Sequence, residues 1–333
     1  VIERDGPLDR AAFLAEIAPA CAPVVLRGLC RDWPAARAAA RSRQTLLACL
    51  ETFDSGQVAE AFVGTAAIAG RYDYAADLDG FNFVREAMPL RDALARIDAA
   101  ADAPESASVY VGSLPVERYL PGFEREHRLA ALPDGAVRQH VWIGTASTVA
   151  CHYDTFDNFA CVVAGRRRFT LYPPDAIGDL YVGPIDFTMA GQPTSLAASA
   201  PPDDPRYPRF AAARARAITV DLEPGDALYL PKLWWHSVEA TAPFNMLVNF
   251  WWDAFAIGPD APYTAMLLAM IAIAERPERE RGAWRAYFDH YVFRDRGHPL
   301  AHLPAAKHGV LGPLAQGNYG RIRAQVMKWL RGG

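Results

Sequence analysis

The residues best placed to do chemistry are His152, Asp154 and His236. The first two lie two apart in the run Ala150–Ala160 (ACHYDTFDNFA), which otherwise reads as buried strand. On a strand, residues i and i+2 share a face, so His152 and Asp154 project together while Cys151, Tyr153 and Thr155 point the other way. Far downstream, in Gly225–His236 (GDALYLPKLWWH), a Gly-Asp turn launches an apolar strand, Pro231 ends it, and His236 follows two tryptophans. Two imidazoles and one carboxylate, in the pattern H-x-D…H, are the facial set that holds non-haem Fe(II) and leaves three positions open. The H-x-D pair alone is a weak signal in a chain with eight histidines, where a lone strand His more often is a satisfied core residue. His236, placed just past a strand end beside Trp234 and Trp235, which would keep water off a metal, tips the balance toward a metal site.

The elements that must position these three residues lie between 137 and 253. Val137–Val149, Asn158–Val163, Arg166–Tyr172, Ala217–Leu222, Ala227–Leu230 and Asn245–Trp251 are strand-like, separated by Gly, Pro and Asp turns. Many short strands without intervening helices predict a mainly β fold, an antiparallel double-sheet jelly roll whose mouth binds ligands. Alternation along Arg166–Tyr172 (RRRFTLY) puts Arg167 on the apolar, inward face with Phe169 and Leu171. An unpaired cation there is costly unless an anion meets it. Arg166 and Arg168 read as solvated. Asn158 and Asn249 occupy strand positions where Val or Thr would be ordinary, and a buried amide needs partners; Trp251 shares the Asn249 face.

The flanks read differently. Residues 1–115 form a lead-in of helices and strands: Asp9 caps a helix running to Ile17, Ala22–Gly28 is a short strand, Phe81–Arg85 alternates, Pro89 opens a helix to Ile97, and Ser108–Gly112 is a strand carrying Tyr110. The catalytic core spans 116–255, interrupted by a Pro- and Ala-rich insertion from Pro174 to Pro208 that is long enough to face substrate over the barrel mouth. Residues 256–333 predict helices over Tyr263–Arg276, Glu278–Phe293 and Asn318–Leu330, and His290, His298, His302 and His308 there read as surface or packing residues.

Composition narrows the function. A net charge of −4 argues against nucleic acid as partner. The longest apolar run, Ala265–Ala274, is too short to cross a bilayer, and no signal peptide is visible. Five cysteines without a C-x-x-C pair are ordinary for a reducing, cytoplasmic protein, and strand parity turns Cys151 away from the metal. Positive charge is almost all arginine, with lysine only at 232, 307 and 328. Arginine suits a buried carboxylate because its planar fork binds both oxygens.

Five segments then carry a family resemblance: Val141–Gly144 (VWIG), His152–Phe159 (HYDTFDNF), Gly165–Pro174 (GRRRFTLYPP), Pro231–His236 (PKLWWH) and Val248–Trp251 (VNFW). Together they resemble the cupin-like JmjC group of Fe(II)/2-oxoglutarate oxygenases, most closely the branch of the hypoxia-inducible-factor asparaginyl hydroxylase. The resemblance implies that Fe(II) sits on His152, Asp154 and His236, that 2-oxoglutarate and O2 complete the centre, and that a C–H bond of a protein side chain or small amino-acid-like substrate is hydroxylated. It implies co-substrate contacts from Tyr110 and Arg167 to the outer carboxylate and from Asn158 and Asn249 near the keto-acid end, with Trp251 as a wall. In the resembling hydroxylase the Arg167 position is a lysine, and the usual Thr before the first His is Val149 here, with Thr148 displaced by one. The resemblance also implies dimerisation through the C-terminal helices. The alternative from another class is a metal-binding cupin without oxygenase activity, an isomerase-like enzyme or a small-ligand sensor.

Overall fold

A computed structural model describes every residue except 76, 104, 106, 134–136, 190, 257 and 333. The chain divides into two units, Val1–Ala254 and Phe255–Gly333. Among the described residues, the first unit holds fourteen strands: β1 (Ile2–Asp5), β2 (Val24–Arg27), β3 (Val58–Gly64), β4 (Arg71–Tyr72), β5 (Val84–Pro89), β6 (Ser108–Pro115), β7 (Arg138–Gly144), β8 (Ser147–His152), β9 (Asp157–Ala164), β10 (Arg167–Tyr172), β11 (Ile218–Leu222), β12 (Ala227–Leu230), β13 (Trp235–Ala240) and β14 (Asn245–Trp252). They form a nine-stranded sheet, β1-β2-β12-β9-β14-β7-β6-β3-β5, and a five-stranded sheet, β11-β10-β13-β8-β4. This is the jelly roll that the strand pattern predicts, extended by lead-in strands on the larger sheet.

Alternation along each strand sorts side chains into layers. On β9, which is buried throughout, Phe159, Cys161 and Val163 pack outward under the lead-in helices, while Ala160 and Val162 point between the sheets. There they meet Phe169 and Leu171 of β10 and Leu228 and Leu230 of β12, forming the inter-sheet core. On β14, Met246, Val248, Phe250 and Trp252 pack outward, leaving Leu247, Asn249 and Trp251 to face the interior. Each outward row of large apolar groups stabilises the sheet by roughly 1.5–3 kcal/mol per fully buried side chain, so the inward positions are free to carry polar residues. At the β9–β10 turn, Gly165 has φ +74, and a Cβ there would meet Asn245 Oδ1 at 2.2 Å. That amide oxygen accepts the Arg166 N–H at 3.2 Å, and the tight turn sets the register that brings Arg167 inward.

The structure corrects several sequence expectations. Val137–Val149 is not one strand but two, β7 in the larger sheet and β8 in the smaller, broken where Thr145 turns to bond Val109: its N–H donates to the Val109 carbonyl at 2.9 Å and its Oγ1 accepts the Val109 N–H at 3.1 Å. Strand β13 is absent from the sequence reading because WHSVEA lacks an apolar alternation; pairing on both sides, with β10 and β8, makes it a strand. Phe81–Arg85 becomes strand only from Val84. Asp9 does cap a helix, accepting the Ala12 N–H at 2.8 Å, but regular α-helix stops at Ala12 and a π-turn follows over Phe13–Ile17. Arg166 and Arg168 are exposed as expected, while Tyr172 on the same face packs with Ala176, Leu180 and Ala197 of the insertion and with Phe210 and Ala213 after it.

The second unit contains helices Pro262–Ile273, Glu278–Phe288 and Asn318–Leu330. His298 and His308 stack at 4.2 Å and each bonds a backbone carbonyl, of Leu311 and Leu303, in keeping with packing roles. Among the described residues, no helix is long and apolar enough to cross a membrane.

Candidate metal centre

His152 and His236 stand directly opposite each other on the antiparallel β8–β13 ladder. Asp154 lies just beyond the end of β8, and the ligand atoms of the three residues fall within 4.8 Å of one another. They are the only such cluster of His, Cys, Asp or Glu among the described residues. A β-bulge brings them there. Between His236 and Val238 on β13 the partner on β8 jumps from His152 to Val149, so β8 carries an extra residue. Strict alternation would put Val149 and His152 on opposite faces; the bulge turns both into the cavity.

Backbone carbonyls fix both imidazoles. His152 Nδ1 lies 2.8 Å from the Ala150 carbonyl and His236 Nδ1 lies 2.9 Å from that of Trp234. A carbonyl only accepts, so each Nδ1 carries the proton and each Nε2 keeps its lone pair for a cation. Asp154 is held from a third direction: Trp251 Nε1 donates to its Oδ2 at 3.2 Å. The Leu233 N–H, from a residue in the left-handed region at φ +67, donates to the Asp154 backbone carbonyl at 2.8 Å. That bond ties the loop before His236 to the segment carrying Asp154.

Charge is uncomfortable here without a cation. Burial holds the Asp154 carboxyl above the ordinary carboxylate range, against the opposing pull of His152 and of hydrogen bonds from Trp251 and Asn158. Burial, then the charge of His152, pushes His236 down to about 3. A divalent ion would relieve both, since metal ligation needs a neutral imidazole and an ionised carboxylate. The donor set, two nitrogens and one oxygen, fits a first-row metal such as Fe(II).

The remaining sequence-predicted residues line the same cavity: Tyr110, Asn158, Arg167, Asn249 and Trp251. Arg167 is only 8% exposed, its Nε is buried without a hydrogen-bond partner, and its ladder neighbours are Leu222 and Ala240. Burial pushes its guanidinium down to about 10. Asn158 Oδ1 is likewise buried and unpartnered. The Asn249 carbonyl is already engaged, accepting the Trp142 indole N–H at 3.0 Å. Tyr110 stacks on Phe62 at 4.7 Å and meets Tyr72 edge-on. Val149 lines the wall, Thr148 does not, and Cys151 faces away into the packing of Tyr153, Tyr172 and Trp235. Sequence reading missed Trp142, Thr145 and Ser147 on this wall. Alternation on β7 from Val141 could have found Trp142, whereas Thr145 and Ser147 arrive where the chain crosses from the larger sheet to the smaller.

A family model described as a cupin-like domain matches residues 10–257. The chain belongs to this cupin-like family. Cattle HSPB1-associated protein 1 is 32% identical over 149 residues, covering 43% of this chain and 30% of that protein. Fruit-fly Jumonji C domain-containing protein 5 is 37% identical over 120 residues, 36% of this chain and 28% of that protein. Mouse tRNA wybutosine-synthesizing protein 5 is 36% identical over 101 residues, 30% of this chain and 29% of that protein. The chain therefore spans less than a third of the length of these relatives. The Jumonji C name of the fruit-fly relative agrees with the resemblance read from the sequence.

Proposed function

We propose that this cupin-like chain is an Fe(II)- and 2-oxoglutarate-dependent oxygenase that hydroxylates an unactivated C–H bond of a protein side chain or a small amino-acid-like molecule. One observation carries it: a buried arginine without an ion pair among the described residues, Arg167, lines the same cavity as the His152, Asp154 and His236 cluster. A lone metal site does not need that cation; a metal site whose co-substrate ends in a carboxylate does. Fe(II) bound with 2-oxoglutarate and O2 supplies the oxidising chemistry, with succinate and carbon dioxide as co-products.

The chain supplies orientation and a dry site. His152, Asp154 and His236 hold the metal on one face. Arg167 takes the outer carboxylate of 2-oxoglutarate, with the Tyr110 hydroxyl as second donor. Asn158 and Asn249 turn amide groups toward the keto-acid end. Trp251 both walls the cavity and steadies Asp154. Val149 leaves that stretch of wall apolar, so the carboxylate depends more heavily on Arg167.

A protein substrate fits the name of the HSPB1-associated relative, and the net charge of −4 makes a polynucleotide the less favoured partner. All five cysteines are free thiols, as a reducing compartment such as the cytoplasm would keep them. The C-terminal unit carries exposed Met266, Met270 and Ile271 on the helix Pro262–Ile273 and exposed Val292 and Phe293 after the helix Glu278–Phe288, which support a homodimer through that region.

Incubating the pure protein with Fe(II), ascorbate and 2-oxoglutarate tests the assignment. Slow succinate release without added substrate, lost in Asp154→Ala, is the expected result. Absence of succinate together with absence of 2-oxoglutarate binding would instead favour a metal-binding cupin that is an isomerase or a ligand sensor.

A further inference from the structure

Asp157 is a buried ionisable group that the chemistry above does not use. It begins β9, three residues after Asp154, and is only 1% exposed. Alternation turns Asn158 and Ala160 inward and sends Asp157 with Phe159 to the outer face, so its carboxylate does not line the metal cavity. In register, Asp157 stands opposite Trp252 of β14, and its neighbour Asn158 stands opposite Leu230 of β12. The ends of three strands meet at this carboxylate. Ladder pairing holds His152 against His236, but Asp154 lies between β8 and β9 and belongs to neither. Its place therefore depends on contacts between these strand ends.

Both oxygens of Asp157 are occupied by donors from the other two segments. Oδ1 accepts the Tyr229 hydroxyl at 3.2 Å and the Lys232 N–H at 3.4 Å. Oδ2 accepts the Ala254 N–H at 3.0 Å and lies 3.4 Å from Lys232 Nζ, which also reaches Asp253 Oδ1 at 2.5 Å. Each joined segment carries a member of the metal site or its support. Asp154 precedes Asp157 by three residues, His236 follows Lys232 by four, and Trp251, the donor to Asp154, precedes Ala254 by three. The Leu233 N–H, next to Lys232, closes the circuit on the Asp154 carbonyl at 2.8 Å.

We propose that Asp157 is a positioning residue for the metal: its carboxylate, clamped to Lys232 and Ala254, holds Asp154 at the separation from His236 that a cation requires, so that the site is formed before the cation arrives. This rests on the metal reading above and involves neither 2-oxoglutarate nor substrate. A loop left free would have to be ordered when the metal binds, and that entropy cost would weaken the metal. An amide cannot take the place of the carboxylate. Every contact on Asp157 comes from a donor, with a backbone N–H on each oxygen, so an asparagine would turn its own NH2 against one of them whichever way it faced. Leaving a buried donor unmet on this ring loosens the segments that carry the ligands.

Three substitutions in the full chain test this, each measured well below its own unfolding temperature. Asp157→Asn removes the charge and one acceptor; Lys232→Met removes the ammonium but keeps the stem and the backbone N–H. Leu46→Ala, in the fully buried core of the lead-in, is a control that destabilises the fold without touching the clamp. Asp157→Asn is expected to weaken Co(II) about 10- to 100-fold by isothermal titration, the range for losing a group that orients a ligand, and to shift the visible spectrum of the Co(II)-saturated protein. Lys232→Met should weaken Co(II) by a smaller factor, and Leu46→Ala should change neither reading. In the metal-free protein, hydrogen exchange at the Leu233 amide should quicken more in Asp157→Asn than in Leu46→Ala. The proposal is overturned if Asp157→Asn lowers the unfolding temperature as the control does but keeps the wild-type Co(II) affinity, spectrum and Leu233 exchange, which would make Asp157 a packing residue only. Should Asp157→Asn fail to fold, the same three readings on Lys232→Met decide, and wild-type values there overturn it. A wild-type protein that holds no Co(II) overturns the metal reading and the proposal together, and is told apart because the wild type itself fails.

Discussion

Trp251 and Asp154 are joined by a hydrogen bond from the indole Nε1 to the carboxylate Oδ2, 3.2 Å long, across residues 97 positions apart in sequence. The bond sets which way Asp154 faces, and the same oxygen lies 3.9 Å from His236 Nε2. Because Trp251 also sits 4.7 Å from His140 and meets Trp142 edge-on, the indole is packed against turning away.

Trp251→Phe keeps the packing and deletes the donor. Metal affinity should fall about 10- to 100-fold, the range for losing a partner that orients a ligand. Isothermal titration with Mn(II), together with the visible spectrum of the Co(II)-substituted protein, reads this without relying on turnover. Unchanged affinity and an unchanged spectrum would remove Trp251 from the metal's support.

Asp154→Ala takes away the one anionic ligand and leaves two neutral imidazoles. Mn(II) binding should drop by about 100-fold or more, whereas Cys151→Ala, on the opposite face, should leave it unchanged. Equal losses in the two variants would mean that the metal is held elsewhere.

Arg167→Met is expected to separate stability from binding. In the free protein the guanidinium is buried without a counter-charge, so an apolar residue of similar length should raise the unfolding temperature or leave it unchanged. The same change should weaken 2-oxoglutarate by roughly 100-fold, since the carboxylate then enters an apolar pocket unpaired. Calorimetry on the free protein and fluorescence titration with 2-oxoglutarate provide the two readings; a strongly destabilised variant would contradict the first.

Part of the acid sensitivity should trace to His127, alongside His140 and His236, which burial also lowers. Its Nε2 accepts the Ala35 N–H at 3.1 Å and its Nδ1 donates to the Phe123 carbonyl at 2.7 Å, an arrangement only the neutral ring allows. Burial lowers its pKa in the fold below the ordinary 6.5, so the unfolded chain takes up the proton first. Stability from this group is therefore full above about pH 6.5 and declines as pH falls below it. Denaturation curves from pH 8 to pH 5 should show the decline, and His127→Gln should make it shallower while costing about 1–3 kcal/mol at pH 8 for the unmet Ala35 N–H. A slope as steep in the variant would assign the acid sensitivity to another group.

Local pattern alone determined a good deal of this protein. Two-residue alternation placed Arg167, Phe169 and Leu171 inward and Cys151 and Tyr153 away from His152, because the strand period is a property of the backbone. Turn residues marked most strand ends, and the expected helix over Asn318–Leu330 forms with those bounds. The resemblance nominated the three ligand residues and the five lining residues that share one cavity.

What only tertiary structure decided was everything that depends on a neighbour. Strand β13 exists because β8 and β10 flank it, not because WHSVEA favours extended chain. The extra residue in β8 is visible only against the register of β13, yet it turns both Val149 and His152 into the cavity. The Trp251–Asp154 bond and the unpartnered Arg167 Nε arise from contacts between segments far apart in sequence. Periodicity reports which way a side chain faces along one strand; which partner it meets, and whether a polar atom is left without one, is settled when the sheets close around each other.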